Sequence, residues 1–243
     1  MNAGIRRSLT VRSLGVIAAA VSALVVAGCA SNVIAGGPMA SEDRDIDAVT
    51  TVVLQTSGSL SISEGEPALT VHAPSDALEH LTSEVNGDVL VLGVTTGITF
   101  GLGTVRYELT LPDLEALTMN GSGDAVATVS TDGDVRLDLN GSGDVEWTGL
   151  ATDRVDVVIA GSGDVTLSGS AEELSVELDG SGNMHGTDLQ AQRVDVVVNG
   201  SGDVDVTPAA SLSVDIFGSG SVTYTGEPTL DTNITGSGDV MQR

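Results

Sequence analysis

The triplet Gly-Ser-Gly recurs along this chain, starting at Gly121, Gly141, Gly161, Gly180, Gly200, Gly218 and Gly236, so that successive copies lie 20, 20, 19, 20, 18 and 18 residues apart. A near-constant period of this length marks a stacked-repeat architecture. After each triplet comes a stretch in which every second residue is apolar, as in Asp144-Val145-Glu146-Trp147, Asp164-Val165-Thr166-Leu167 and Asp203-Val204-Asp205-Val206. A second alternating run leads into the next triplet. Its apolar members are Val135, Leu137 and Leu139, then Val155, Val157 and Ile159, then Leu174, Val176 and Leu178, then Val194, Val196 and Val198, then Leu212, Val214 and Ile216. Between them stand Arg136, Asp138, Asp156, Glu177, Asp195 and Asp215. Alternation of period two means strands with one buried and one wet face.

Two short strands and two turns per unit fit either a hairpin array or one coil of a solenoid. Register separates them, because equivalent residues in a solenoid sit directly above one another and the inward columns must match from coil to coil, as these do. A propeller blade would need about twice the length per repeat. The expected fold is therefore all-β, a right-handed parallel β-helix or solenoid of about 18–20 residues per coil, with coils about 4.8 Å apart. No helix is expected. Residues 119–243 carry the regular repeats. Residues 42–118 are strand-like but irregular, at Val49 to Leu54, Ser59 to Ile62, Leu69 to His72, Val89 to Leu92 and Val105 to Thr110, and read as first coils and N-terminal cap of one domain, 42–243. The last coil has no evident cap, so its edge is open to pairing with a second copy as a homodimer.

The corner itself asks for two glycines, through positive φ or close backbone stacking. Asn120, Asn140 and Asn199 precede the triplet and can hydrogen-bond along a column, interrupted by Ala160, Asp179, Phe217 and Thr235. The residue after the triplet is Asp124, Asp144, Asp164, Asp203 and Asp239, with Asn183 and Ser221 in the remaining copies. Stacked carboxylates repel by about 1 kcal/mol in water and more when half-buried, so something must offset the charge. One answer is that each Asp accepts hydrogen bonds from its own turn's backbone N–H groups. The other is a divalent cation, Ca²⁺ above all, bridging these five aspartates. No cofactor is required by either the turns or the core.

The amino end reads as an address. Arg6, Arg7 and Arg12 precede an apolar run from Leu14 to Val26, too short to span a hydrocarbon core of about 30 Å. Residues 1–28 are expected to be a signal peptide. Val26-Ala27-Gly28-Cys29 resembles a lipobox, which makes Cys29, the single cysteine, the expected lipidation site and membrane anchor. Residues 29–41, small and nearly uncharged, read as a flexible tether. The chain is expected to be exported and lipid-anchored on the outer face of a bacterial membrane. Its 34 acidic against 9 basic residues give a formal charge of -25, which excludes nucleic acid as a partner.

The strand region followed by LPDLEALTMNGSGDA and the repeated GSGDV turns resembles the bacterial family of putative auto-transporter adhesins with a head GIN domain, over roughly residues 46 to 240. The resemblance implies a right-handed β-helical fold in a secreted or surface-anchored protein and a role in adhesion, with no catalytic or binding residues to carry over. Nothing in the residues argues for an enzyme: His72, His80 and His185 are scattered, and the repeated Ser122, Ser142 and Ser162 have no histidine at fixed spacing. The expected function is a non-catalytic surface module that binds a protein or polysaccharide. The alternative is an envelope-structural or sensory lipoprotein acting by edge pairing. With few aromatics, Trp147, Tyr107 and Tyr224 are the candidates for a contact surface, a shortage that favours protein over sugar.

Overall fold

The computed structural model describes residues 36–95, 102–131 and 133–243. The expected signal peptide at residues 1–28, the expected lipidation site Cys29 and residues 30–35 of the expected tether lie outside the described residues. In chain order the elements are β1 (Met39–Arg44), β2 (Thr51–Leu54), β3 (Ser59–Glu64), β4 (Ala68–Pro74), α1 (Ser75–Leu78), β5 (Leu81–Asn86), β6 (Val89–Val94), β7 (Arg106–Leu111), β8 (Ala116–Met119) and β9 (Ala125–Thr128). The repeat region adds β10 (Val135–Leu139), β11 (Val145–Ile159), β12 (Val165–Leu178), β13 (Met184–Val198), β14 (Val204–Gly218), β15 (Ser221–Tyr224), β16 (Thr229–Gly236) and β17 (Asp239–Gln242).

All 17 strands belong to one hydrogen-bonded sheet that winds as a β-solenoid. Two long parallel ladders run along it. The first passes through β6, β2, β8, β10, the C-terminal parts of β11 to β14, and β16. The second passes through β7, β3, β9, the N-terminal parts of β11 to β14, β15 and β17. The expected columns are in register: Val135 lies beside Val155, Val155 beside Leu174, Leu174 beside Val194 and Val194 beside Leu212. Each of these side chains is no more than 1% exposed. Burying an aliphatic side chain of this size contributes about 1.5–3 kcal/mol, and the stacked columns repeat that gain coil after coil.

The N-terminal part departs from the sequence reading, in which no helix is expected. The coil made by β2 and β3 is not at the end of the stack. β2 lies between β6 and β8, and β3 lies between β7 and β9, so later chain closes over the first coil on both sides. The N-terminal end is instead closed by antiparallel strands, β5 on β6, β4 on β7 and β1 on β4, with the four-residue helix α1 packed against β1 and β4. β1 begins at Met39, inside the stretch read as tether.

Trp147 and Tyr107 are wholly buried, so they are core and not contact surface. The indole of Trp147 fills the space inside the coils and donates its N–H to the Val129 carbonyl at 3.0 Å. Tyr107 presents a buried hydroxyl without a well-formed hydrogen bond, and burial raises it above the ordinary tyrosine range, only partly offset by the nearby Thr56 and Arg44.

Candidate functional site

From Ser142 onward the backbone ladder continues across each corner. The carbonyl of the first glycine accepts from the serine N–H of the next coil: Gly121 from Ser142 at 3.2 Å, Gly141 from Ser162 at 3.0 Å, and Gly180 from Ser201 at 2.9 Å. This stacking puts both glycines of each triplet under the backbone of the coil before. A Cβ on Gly141 would collide with the Gly121 carbonyl, and one on Gly143 with the Gly123 carbonyl. The second glycine of each triplet has no positive φ. Close approach, not left-handed backbone, is what it supplies.

The aspartates that follow make a ladder of their own, and it runs between coils. Asp124 Oδ1 accepts from the backbone N–H of Asp144 at 3.0 Å, and Asp144 Oδ1 from the N–H of Asp164 at 2.9 Å. Asp164 Oδ1 accepts both the backbone N–H and the side-chain amide of Asn183, at 2.8 and 2.9 Å. Asn183 Oδ1 then takes the N–H of Asp203 at 3.0 Å, and Asp203 Oδ1 that of Ser221 at 2.9 Å. Each side chain therefore serves the next coil's backbone; the sequence reading, that each Asp bonds the N–H groups of its own turn, is corrected on this point. Asn183 interrupts the charge without interrupting the ladder, because an amide oxygen accepts as a carboxylate does. Asp239 stands in the same column, beside Ser221. A neighbouring column carries shorter runs, Asn140 onto Asn120 at 3.0 Å and Asn199 onto Asp179 at 2.7 Å.

Outside, the solenoid offers two broad faces. On the first ladder one outward column reads Asp156, Ser175, Asp195, Ser213, Asp231 and the next reads Val158, Glu177, Val197, Asp215, Asn233. From Asp156 onward the carboxylates alternate columns like a checkerboard. Two acids of one column are then two coils apart, about 9.6 Å, where their repulsion in water is roughly half that of neighbours in contact. At one side of this face Glu173 lies between two arginines, 2.8 Å from Arg154 and 2.7 Å from Arg193. The hydrogen bond and charge of Arg193, helped by Arg154, hold the Glu173 carboxyl below its usual range.

On the second ladder a shallow open groove of about 350 Å³ runs past Asp124, Asp144, Asp164, Glu146 and His185. His185 Nδ1 stands 3.5 Å from Asp205. Nearer the cap, a groove of about 470 Å³ is lined by Ser61, Ser63, Thr70, Arg106 and Glu108. Beside it three strands bring together groups that sequence spacing could not connect. Ser41 Oγ is 2.7 Å from His72 Nδ1, and His72 Nε2 is 3.4 Å from Glu108 Oε1. The cross-strand register Ser41, His72, Arg106 produces this line, and residues 31 and 36 apart give no motif to read.

A family model for the putative auto-transporter adhesin, head GIN domain, matches residues 48–228, the body of the solenoid from β2 to the turn after β15. The chain belongs to this family. Three solved structures share the fold of this head GIN domain. A putative adhesin from Bacteroides fragilis is 21% identical with a TM-score of 0.83, covering 87% of this chain and 100% of that one. A putative lipid binding protein from Parabacteroides distasonis is 20% identical at 0.70, covering 87% and 99%. A putative adhesin from the same organism is 20% identical at 0.68, covering 87% and 100%. No curated protein matches the chain. Among the described residues of the head GIN domain no helix is long and apolar enough to cross a membrane, and no three or more of His, Cys, Asp and Glu converge as a metal site.

Proposed function

We propose that the chain is a non-catalytic, surface-anchored adhesion module, held to the outer face of a bacterial membrane by lipid on Cys29, that binds a protein partner through the acidic checkerboard face. The observation that carries this reading is the face itself: Asp156, Glu177, Asp195 and Asp215 are spaced by the coil repeat on a rigid ladder with a packed core beneath. Fixed carboxylates at regular spacing suit a basic or hydroxyl-rich surface more than a small molecule, which needs a concave, mostly apolar pocket. Family membership supports adhesion as the general role. Burial of Trp147 and Tyr107 supports a protein over a saccharide, because it removes two of the few rings on which a sugar could stack.

The test is binding of the full chain to a panel of purified extracellular proteins and, in parallel, to a glycan array. Saturable binding to a protein is expected, weakened by about tenfold or more at low salt when Asp156, Asp195 and Asp215 become Asn and Glu177 becomes Gln. Binding that ignores these four changes in a variant with an unchanged β-sheet spectrum, or binding to neither panel, overturns the proposal. Cell fractionation checks the anchor: Cys29→Ala is expected to release the chain from membranes.

A further inference from the structure

The two ends of the solenoid are finished differently. At the N-terminal end α1 and the antiparallel strands cover the core, leaving Leu81 5% and Ala77 0% exposed. At the other end β16 continues the inward columns of Leu212 and Ile216 with Leu230 and Ile234, each 42% exposed. Among the described residues β16 pairs only with β14, and β17 only with β15. β16 is eight residues long, has no proline or lysine, and carries a single charge, Asp231. Natural edge strands are usually shortened, charged or bulged to prevent pairing, and of those devices this one has only the single charge of Asp231.

What can pair with it follows from its sequence. In an antiparallel pair, opposite residues share a face. Placed about a two-fold axis at Thr232, the segment Leu230-Asp231-Thr232-Asn233-Ile234 is its own complement. Leu230 faces Ile234 of the second copy on the core side, and Asp231 faces Asn233 on the outer side. An Asp with an Asn is a pair this protein already builds between coils, with Asn233 donating to Asp215 at 2.9 Å. The flanking Thr229 and Thr235 also face each other. In β17 the same arrangement about Met241 sets Asp239 opposite Arg243 and Val240 opposite Gln242, so the match there is one of charge and not of apolar faces. Stacking against the cap end of another copy is disfavoured, since Asp231 and Asp239 would approach Glu84, Glu42 and Asp43 of β5 and β1, and such a head-to-tail contact would grow into a filament.

We infer that the free edges of β16 and β17 join two copies of this chain end to end about a two-fold axis at Thr232. The interface joins the two solenoids into one continuous sheet and leaves both acidic faces open, so it does not rest on the adhesion reading. It also opposes the overall charge, because two chains of -25 repel at long range.

Sedimentation velocity of the full chain over a concentration series, at low and high salt, is the test. A monomer–dimer equilibrium that tightens with salt is expected, with loss of the dimer in Leu230→Lys/Ile234→Lys. These side chains are already half-exposed, so that variant keeps its fold. In a Cys29→Ser background, Thr232→Cys is expected to form an oxidised dimer and Thr229→Cys, which meets Thr235, is not. A monomer at every salt concentration, a dimer indifferent to the lysine pair, equal cross-linking at both positions, or growth beyond a dimer overturns the inference.

Discussion

At Gly161 an added Cβ would strike the Gly141 carbonyl oxygen, and that oxygen cannot withdraw because it accepts the Ser162 N–H. Gly161→Ala is therefore expected to lower stability by about 1–3 kcal/mol or more, while Ser162→Ala, at an exposed site between the same glycines, changes it by less than about 0.5 kcal/mol. Urea denaturation of the two variants gives the comparison. The aspartate ladder makes a separate claim. Because Asp144 Oδ1 already accepts the Asp164 N–H, the column is satisfied by backbone donors, and the unfolding midpoint is expected to be the same in EDTA and in millimolar Ca²⁺. A Ca²⁺-specific rise, absent with Mg²⁺, would put a cation on the ladder. The letters of this ladder were plain in the sequence, and so was the need to offset stacked charge. Which N–H does so was not legible, since the donor lies a full coil away and only the stacked register of Asp144 over Asp124 brings it within reach.

Between elements, the arginine and glutamate rows show how register converts sequence into charge pairing. Arg154, Glu173 and Arg193 are about one coil apart in sequence and become neighbours only when β11, β12 and β13 align. A carboxyl lowered in the folded state adds stability that is present above the ordinary glutamate value of the unfolded chain and is lost as pH falls through the lower folded value. Acid titration is expected to separate wild type from Glu173→Gln at neutral pH, the two profiles converging as the medium is taken below the ordinary carboxylate range. Profiles that stay parallel would mean the two arginines do not act on Glu173. The regular strands were readable because alternation and period agree. β1 and β5 were not: Ser41-Glu42-Asp43-Arg44 has no alternation, and an antiparallel cap strand is defined by the edge it covers more than by its own pattern.

Across the whole molecule each coil touches chiefly its neighbours, so protection should vary with position along the stack. Amide hydrogen exchange under conditions that hold the monomer is expected to be fastest in β16 and β17 and slowest in β8 to β13. Uniform protection from end to end would contradict a stack whose last coil is open. The interior position of β2 and β3 was beyond sequence reading, because these strands lack the glycine triplet and their partners are fixed by chain that comes much later. It has a mechanical side. Tension arriving from the amino terminus first strips β1 from β4, a strand held on one edge only. The load then reaches β2, gripped by β6 on one side and β8 on the other, and extraction from there must rupture two ladders together. Unravelling by peeling is arrested after its first step, and a body pulled from that end resists force as a block.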